Sequence, residues 1–393
     1  MVVRLSSNTN CIEMHLPADA YELQDALDKL RLYNSSEVDC CIERCNFLEE
    51  LDGMEFKDDL FKINAFAQRI ELKHPDAEIQ RAMIAAMITA DGNRSLDTLL
   101  KVTFTTNLTV FPCRDYMDYG EYVIENNLLD DISDVPDKAI PYLDTYEVGK
   151  EMAEREHGIF AGGFYCIPDV DAVEELEITI QKPEESFFCL TIAPKGTDAN
   201  KTGELYYLPQ DAGRIAEYAH DIGVEVSDLE IVGFKSALPR ADPPPTADIQ
   251  NVYIYQSIAN KLQDYLTHRG VVILKAIMES KPKMSASEID ELIDKVHRYN
   301  FDNKVFTLND YGYKYLTGIV PGNCNMDMFS SCRLSDIGEK LCEEKNCHVT
   351  NYGAISDIDQ KLYSMVTIQD QTDDEEYYNS SDKQLTEEDI GMG

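Results

Sequence analysis

Carboxylates at helical spacing are the residues of this chain best placed to do chemistry. Glu121 and Glu125 stand four apart, and Glu147, Glu151 and Glu154 follow at intervals of four and three. On an α-helix such residues share a face, so each set would display a row of fixed negative charge. Asp130, Asp131, Asp134 and Asp137 fill the loop between the two sets, and Asp144 stands just before the second. Rows of this kind recognise cations, and they also serve as solvated helix faces. Catalysis is a different matter. Seven scattered histidines come with no GxSxG, HExxH or Cys–His signature, so no nucleophile or general base can be nominated. "GKEMAERE", starting at Gly149, lacks the upstream Gly-rich run of a phosphate loop, and "PKGTDANKTGE" lacks a GxxxxGK frame. Cys40, Cys41 and Cys45 have no matched pair at zinc-ligand spacing. Cys324, Cys332, Cys342, Cys347 and His348 are the better metal candidates, but intervals of eight, ten and five fit no standard site. We therefore expect no enzyme, no metal and no cofactor.

The charge balance points the same way as the acidic rows. Seventy-three acids face 35 Lys and Arg, a formal net charge of −38 over 393 residues. About −18 falls in residues 1–170, about −13 in 171–370 and about −7 in the last 23, so the excess is not confined to a tail. Self-repulsion on this scale opposes compaction. It reads either as adaptation to an acidic or salty cytosol or as a surface for a cationic partner. Direct nucleic-acid binding is disfavoured, because no basic stripe exists to displace counterions from phosphates. With 44% hydrophobic residues, 22 Tyr and 14 Phe, the chain can build cores for two or three domains. No stretch of 18 uncharged apolar residues occurs, so neither a membrane span nor a signal peptide is expected, and eleven cysteines without CxxC pairs suit reduced thiols. The expected location is a cytoplasm.

The elements that must position the acids are written twice. "LDTYEVGKEMAEREHGIFAGGFY" (143–165) and "CRLSDIGEKLCEEKNCHVTNYGAI" (332–355) share a skeleton at offset 189. "LPADAYELQDAL" matches "LPQDAGRIAEYA", "INAFAQRI" matches "YQSIANKL", and "DYGEY" matches "DYGYK", all at offset 192. "SEVDCCI" matches "SDLEIVG" at 191. Matches in one order at one offset define a tandem repeat of about 170–190 residues. Each copy opens with an alternating hairpin, such as "FFCLTIAP" with "ELYYLP". Pro17 or Pro209 follows, and Asp19 or Asp211 is placed to cap a helix or enter its first turn. A further strand is expected around 40–45 or 230–235. "LDGMEFKDD" and "LPRADPPPT" read as boundary loops. A helical module comes next, with Ile63, Phe66, Ile70, Ile79, Met83 and Ala86 at helical spacing, and Ile289, Leu292, Ile293 and Val296 on one face. Aromatic segments, acidic helices and a final strand complete each copy.

Tyr119 to Phe160 carries a further pattern. A Tyr- and acid-rich helix is followed by Val135-Pro136, then Tyr142-Leu143-Asp144, Gly149 and His157-Gly158-Ile159-Phe160. This order resembles the C-terminal part of the ArdA antirestriction family. Leu190 to Ala212 of the second copy resembles the family's opening strand, its Asn/Gly turn and its aromatic strand. The likeness covers nearly 170 residues of the first copy and, more weakly, most of the second. Two departures limit it. The start "VVRLSSNTNCIEMHLP" lacks the long Gly-containing turn, and "GIVPGNCNMDMFSSCRLSDIG" replaces the acidic Pro–Tyr–Asp stretch in the second copy.

The resemblance implies an elongated α+β fold of two tandem units. Each would hold a small antiparallel sheet and helix, a helical bundle and a C-terminal α/β module. The first unit is expected over 1–168 (modules 1–58, 59–105 and 106–168) and an acidic connector over 169–180. The second follows over 181–360, with an acidic, disordered tail over 361–393. It further implies a DNA mimic, in the cytoplasm of a bacterial host, occupying the DNA groove of a type I restriction–modification enzyme or of another DNA-binding defence protein. Its surface would be Glu121, Glu125, Asp130, Asp131, Asp134, Asp137, Asp144, Glu147, Glu151 and Glu154. A tandem chain would form a monomeric pseudo-dimer, with a homodimer the other possibility. The competing reading is an acidic adaptor or chaperone-like protein for a basic partner, unrelated to restriction.

Overall fold

The computed structural model describes residues 1–357 apart from 8–9, 33, 92–93, 129–134, 137, 169–172, 174–177, 181–185, 197–202, 323–324 and 330. Asp130, Asp131, Asp134 and Asp137, and the acidic tail expected from 361, therefore lie outside the described residues. The chain divides into two compact units, Met1–Glu185 and Ser186–Gly393, and is of mixed α+β class.

In the first unit, strands β1 (Val2–Ser6) and β2 (Cys11–His15) form a hairpin. Alternation buries Val3 and Leu5 completely and leaves Arg4 on the wet face. Helix α1 (Ala20–Leu30) starts where expected. Asp19 accepts the Tyr21 and Glu22 amides at 3.0 Å, while Glu22 reaches back to the Asp19 amide at 2.9 Å, a reciprocal capping box. Its Leu23, Ala26, Leu27 and Leu30 are buried with Val38, Cys40 and Ile42 of β3 (Glu37–Arg44). Strand β4 (Glu55–Asp59) completes an antiparallel sheet of order β2-β1-β3-β4. The sequence reads residues 51–59 as a loop. They hide their strand because an edge strand with only Phe56 buried needs no apolar alternation.

Helices α2 (Leu60–Glu71), α3 (Ala77–Ala90) and α4 (Leu96–Val102) make the helical module. Ile63, Phe66, Ile70, Met83 and Ala86 are all buried, and Ile79 is partly so. Pro75 lies in the break between α2 and α3. Val173, Ile178 and Ile180, read as connector from sequence, pack against this same core. Then come β5 (Val110–Phe111), α5 (Tyr116–Glu125), α6 (Thr145–Glu156), β6 (Ile159–Ala161) and β7 (Phe164–Cys166), with sheet order β5-β7-β6.

The second unit repeats this order. Strands β8 (Phe188–Pro194) and β9 (Glu204–Leu208), helix α7 (Ile215–Asp221) and strand β10 (Leu229–Ser236) form a sheet β10-β8-β9, matching β3-β1-β2. Helices α8 (Asn251–Tyr265), α9 (His268–Glu279) and α10 (Ala286–Ile293) follow. The unit closes with β11 (Tyr299–Asp302), α11 (Leu308–Ile319), α12 (Ser331–Lys345), β12 (Cys347–Thr350) and β13 (Gly353–Asp357), ordered β11-β13-β12. The match is incomplete at two points. Asp211 caps no α-helix: it precedes a short 3-10 turn and instead holds Arg214 at 3.0 Å. Among the described residues β4 has no counterpart strand: only an isolated antiparallel bridge, Glu230 to Asp248, stands at its place, just after prolines 243–245. No helix among the described residues is long and apolar enough to cross a membrane.

Nine of the cysteines are free thiols, among them Cys11, Cys40 and Cys166. Burial pushes the Cys40 and Cys166 thiols up to about 12, whereas Cys11 is exposed. Since the thiolate is the nucleophile, native protein treated with iodoacetamide should label Cys11 ahead of the other eight of these thiols. Cys40 and Cys166 should label only on unfolding, as peptide mass spectrometry would show.

Candidate functional site

Helices α5 and α6 carry the sequence-selected acids, and glycine decides how the helices meet. A Cβ on Gly120 would lie 1.7 Å from the Thr145 carbonyl oxygen, and one on Gly149 would lie 1.9 Å from that of Tyr116. The two helices therefore touch through backbone, with no room for any side chain at the crossing. The second unit repeats the device: a Cβ on Gly312 would lie 2.0 Å from the Leu334 oxygen, and one on Gly338 2.0 Å from the Leu308 oxygen. This is why "DYG" and the Val/Ile-Gly pair recur in the sequence. Helices normally pack 8–10 Å apart; removing two Cβ atoms at the crossing lets their outer faces project as one narrow body.

Aromatic packing fixes the inner side. Tyr119 and Tyr165 are 1% and 0% exposed, with ring centroids 3.9 Å apart, and Phe111 and Phe160 pack against them. Both phenols donate to one carboxylate. Tyr119 Oη lies 2.5 Å and Tyr165 Oη 3.1 Å from Glu156 Oε2. Burial, and after it the hydrogen bond to Glu156 and its charge, raises the pKa of both tyrosines. Glu156 thus ties the end of α6 to α5 and β7, a role sequence reasoning did not assign to it. Its signal was faint: an acid on the face opposite Glu154, ahead of a short hairpin bearing Phe160, Phe164 and Tyr165.

The predicted acids fall into three groups. Glu121, Glu125, Glu147 and Glu154 are exposed. Glu151 is exposed too, but Arg155 holds it at 2.6 Å. Asp144 is exposed and also structural: it is the N-cap of α6, accepting the Tyr146 amide at 3.0 Å and the Glu147 amide at 3.4 Å. The third group, Asp130, Asp131, Asp134 and Asp137, falls outside the described residues. Helices α5 and α6 together hold seven acids against Lys150 and Arg155, a formal −5.

The equivalent pair, α11 and α12, holds five acids against Lys314, Arg333, Lys340 and Lys345, a formal −1. At offset 192 Tyr313, 47% exposed, stands where Glu121 stands. The tyrosine clamp has changed as well. Tyr311 lies beside Cys342 and Cys347, and Lys345, in place of Glu156, sits 6.0 Å over its ring. One glycine-pinned scaffold therefore presents an acidic face in the first unit and a near-neutral aromatic one in the second. Among the described residues no group of three or more His, Cys, Asp or Glu is arranged to hold a metal ion.

Compared with known proteins, the chain matches no family model and no curated protein.

Proposed function

We propose that the protein is a non-enzymatic DNA mimic of the ArdA antirestriction type, with the first unit's α5–α6 face as its inhibitory surface. The observation that carries this reading is a backbone-to-backbone helix pair whose outer faces carry Glu121, Glu125, Glu147, Glu151 and Glu154, all exposed, in a chain of net charge −38. B-DNA presents one negative charge per roughly 1.7 Å of axis. A groove shaped for it presents fixed Lys and Arg. Acids one helical turn apart on a rigid pair can meet such cations without the deformation that DNA requires. Binding would be competitive, steered by charge and weakened by salt. The duplicated architecture fits a single chain standing in for two units.

The test is competition. A type I restriction–modification enzyme is loaded with labelled DNA and challenged with this protein at low and moderate salt. Displacement is expected and should weaken as salt rises. A variant with Glu121, Glu125, Glu147, Glu151 and Glu154 changed to Gln should compete at least about tenfold less well. A second variant, with Asp130, Asp131, Asp134 and Asp137 changed to Asn, tests the loop in the same way. If the folded parent displaces no DNA even at low salt, this reading falls and the acidic-adaptor reading takes its place.

A further inference from the structure

In the first unit, α2 packs on α4, and an ion pair closes the surface between them. Lys62 bridges Asp58 at 3.0 Å and also pairs with Asp97, two residues past the α4 cap Ser95. The second unit packs α8 on α10 in the same way, with Ser285 as the cap. Its residue at offset 192 from Lys62 is Ile254. The residue two past the Ser285 cap, matching Asp97, is Ser287. The ion pair is gone, and a cleft of about 870 Å³ lies there. Pro243, Pro244 and Pro245 form one wall, and Tyr253 and Ile254, 50% and 49% exposed, form another. The prolines are anchored rather than loose: Tyr255 donates to the Asp242 carbonyl at 2.8 Å, and the Asp242 amide donates to the Met284 carbonyl at 2.8 Å.

The polar fittings of this cleft have one sign. Its lining includes no Lys, Arg or His, but it includes the carboxylates of Asp242 and Asp290. Asp290 is held by Lys261 at 3.1 Å. No cation among the described residues pairs with Asp242. An apolar trough whose lining includes Asp242, an acid that no described cation pairs with, suits an occupant with apolar side chains beside a cationic one. The volume is in the range that buries a few side chains. We infer that this cleft is a docking site for a Lys- or Arg-bearing, otherwise apolar, peptide segment of a partner protein. The inference is independent of the DNA-mimic reading, because it concerns another unit, another face and an apolar contact that salt does not screen.

The test uses the full chain and a fluorescein-labelled synthetic peptide made of two repeats of Leu-Lys-Lys-Leu-Leu-Lys-Leu. Anisotropy is read at about 0.3 M salt, where exposed charges are largely screened. The decisive variant is Ile254→Lys with Ser287→Asp, which rebuilds the first unit's ion pair at unchanged net charge. It should bind the peptide at least about tenfold more weakly. Ile254→Gln provides a second reading should the double variant unfold, and Asp242→Asn should weaken binding several-fold. Equal binding by parent, double variant and Ile254→Gln would mean that the peptide follows bulk charge, and would overturn the site. So would no binding by the parent. Equal affinity for a Leu/Gln version of the peptide would overturn the requirement for a cation.

Discussion

Replacing Gly149 by Ala should cost the first unit about 3 kcal/mol or more and separate α5 from α6. Overpacking an ordinary core costs roughly 1–3 kcal/mol, because side chains can shift rotamer. Here the obstacle is the Tyr116 carbonyl oxygen, 1.9 Å from the new methyl, and the whole helix must move to relieve it. For a unit of this size, about 3 kcal/mol corresponds to a fall in Tm of roughly 6–12 °C. Gly338→Ala should do the same to the second unit, whose Leu308 oxygen would lie 2.0 Å from the added carbon. Gly213→Ala is the control, since nothing lies within 4 Å of its added Cβ. Thermal unfolding followed by circular dichroism reads all three. A Gly149→Ala protein that melts with the parent would mean that the crossing is looser than described. The acidic face depends on the crossing, so the variant should also lose competition against DNA with every surface carboxylate still in place.

The second large effect is expected at Glu156. Changing it to Ala leaves the Tyr119 and Tyr165 hydroxyls without their shared acceptor on two almost fully buried rings. At about 1–3 kcal/mol for each orphaned donor, a loss of about 2–6 kcal/mol is expected, and urea unfolding would measure it. Glu156→Gln keeps an acceptor oxygen and should lose less; equal losses would show that packing, not the hydrogen bonds, is what the residue supplies. The same phenols set an alkaline limit. Their pKa is raised in the folded protein, so the folded state holds protons that the unfolded chain releases near the ordinary phenol value of about 10. Their contribution to stability is therefore complete below that pH and is lost as pH rises through the folded values. Tyrosinate absorbance should show these two rings ionising only as the unit unfolds. In Glu156→Ala the decline should be shallower, because the Glu156 hydrogen bonds and charge no longer help to raise them.

Much of this molecule was readable from local pattern. The mixed α+β class, the hairpin alternation around Val3 and Leu5, the apolar faces of α2, α3 and α10, and the Asp19 cap all follow from short-range periodicity and capping chemistry. Each is satisfied within a few residues of itself, so each leaves a mark in the string. The second writing of the element order was also visible, because an offset near 190 survives divergence that single motifs do not. Strand β4 was missed, since an edge strand is held by backbone bonds to one neighbour and asks little of its side chains. Asp211 failed as a cap because its carboxylate is taken by Arg214.

Tertiary structure alone decided what the repeated residues are for. Gly120, Gly149, Gly312 and Gly338 read as interruptions of good helices, where glycine costs about 1 kcal/mol against Ala. Only the crossing shows that backbone oxygens from the neighbouring helix occupy the space a Cβ would need. Among the glutamates of α6 helical spacing sets Glu156 apart from the face of Glu147, Glu151 and Glu154, but their intrinsic chemistry is the same and says nothing of partners. Folding turns Glu147, Glu151 and Glu154 to solvent and brings Glu156 under two buried phenols. The same holds for Lys62 and Ile254, matched by offset: one closes a surface with an ion pair and the other leaves a cleft. Burial and partners are properties of three-dimensional neighbours, and those neighbours come from residues tens of positions away, beyond the reach of any local pattern.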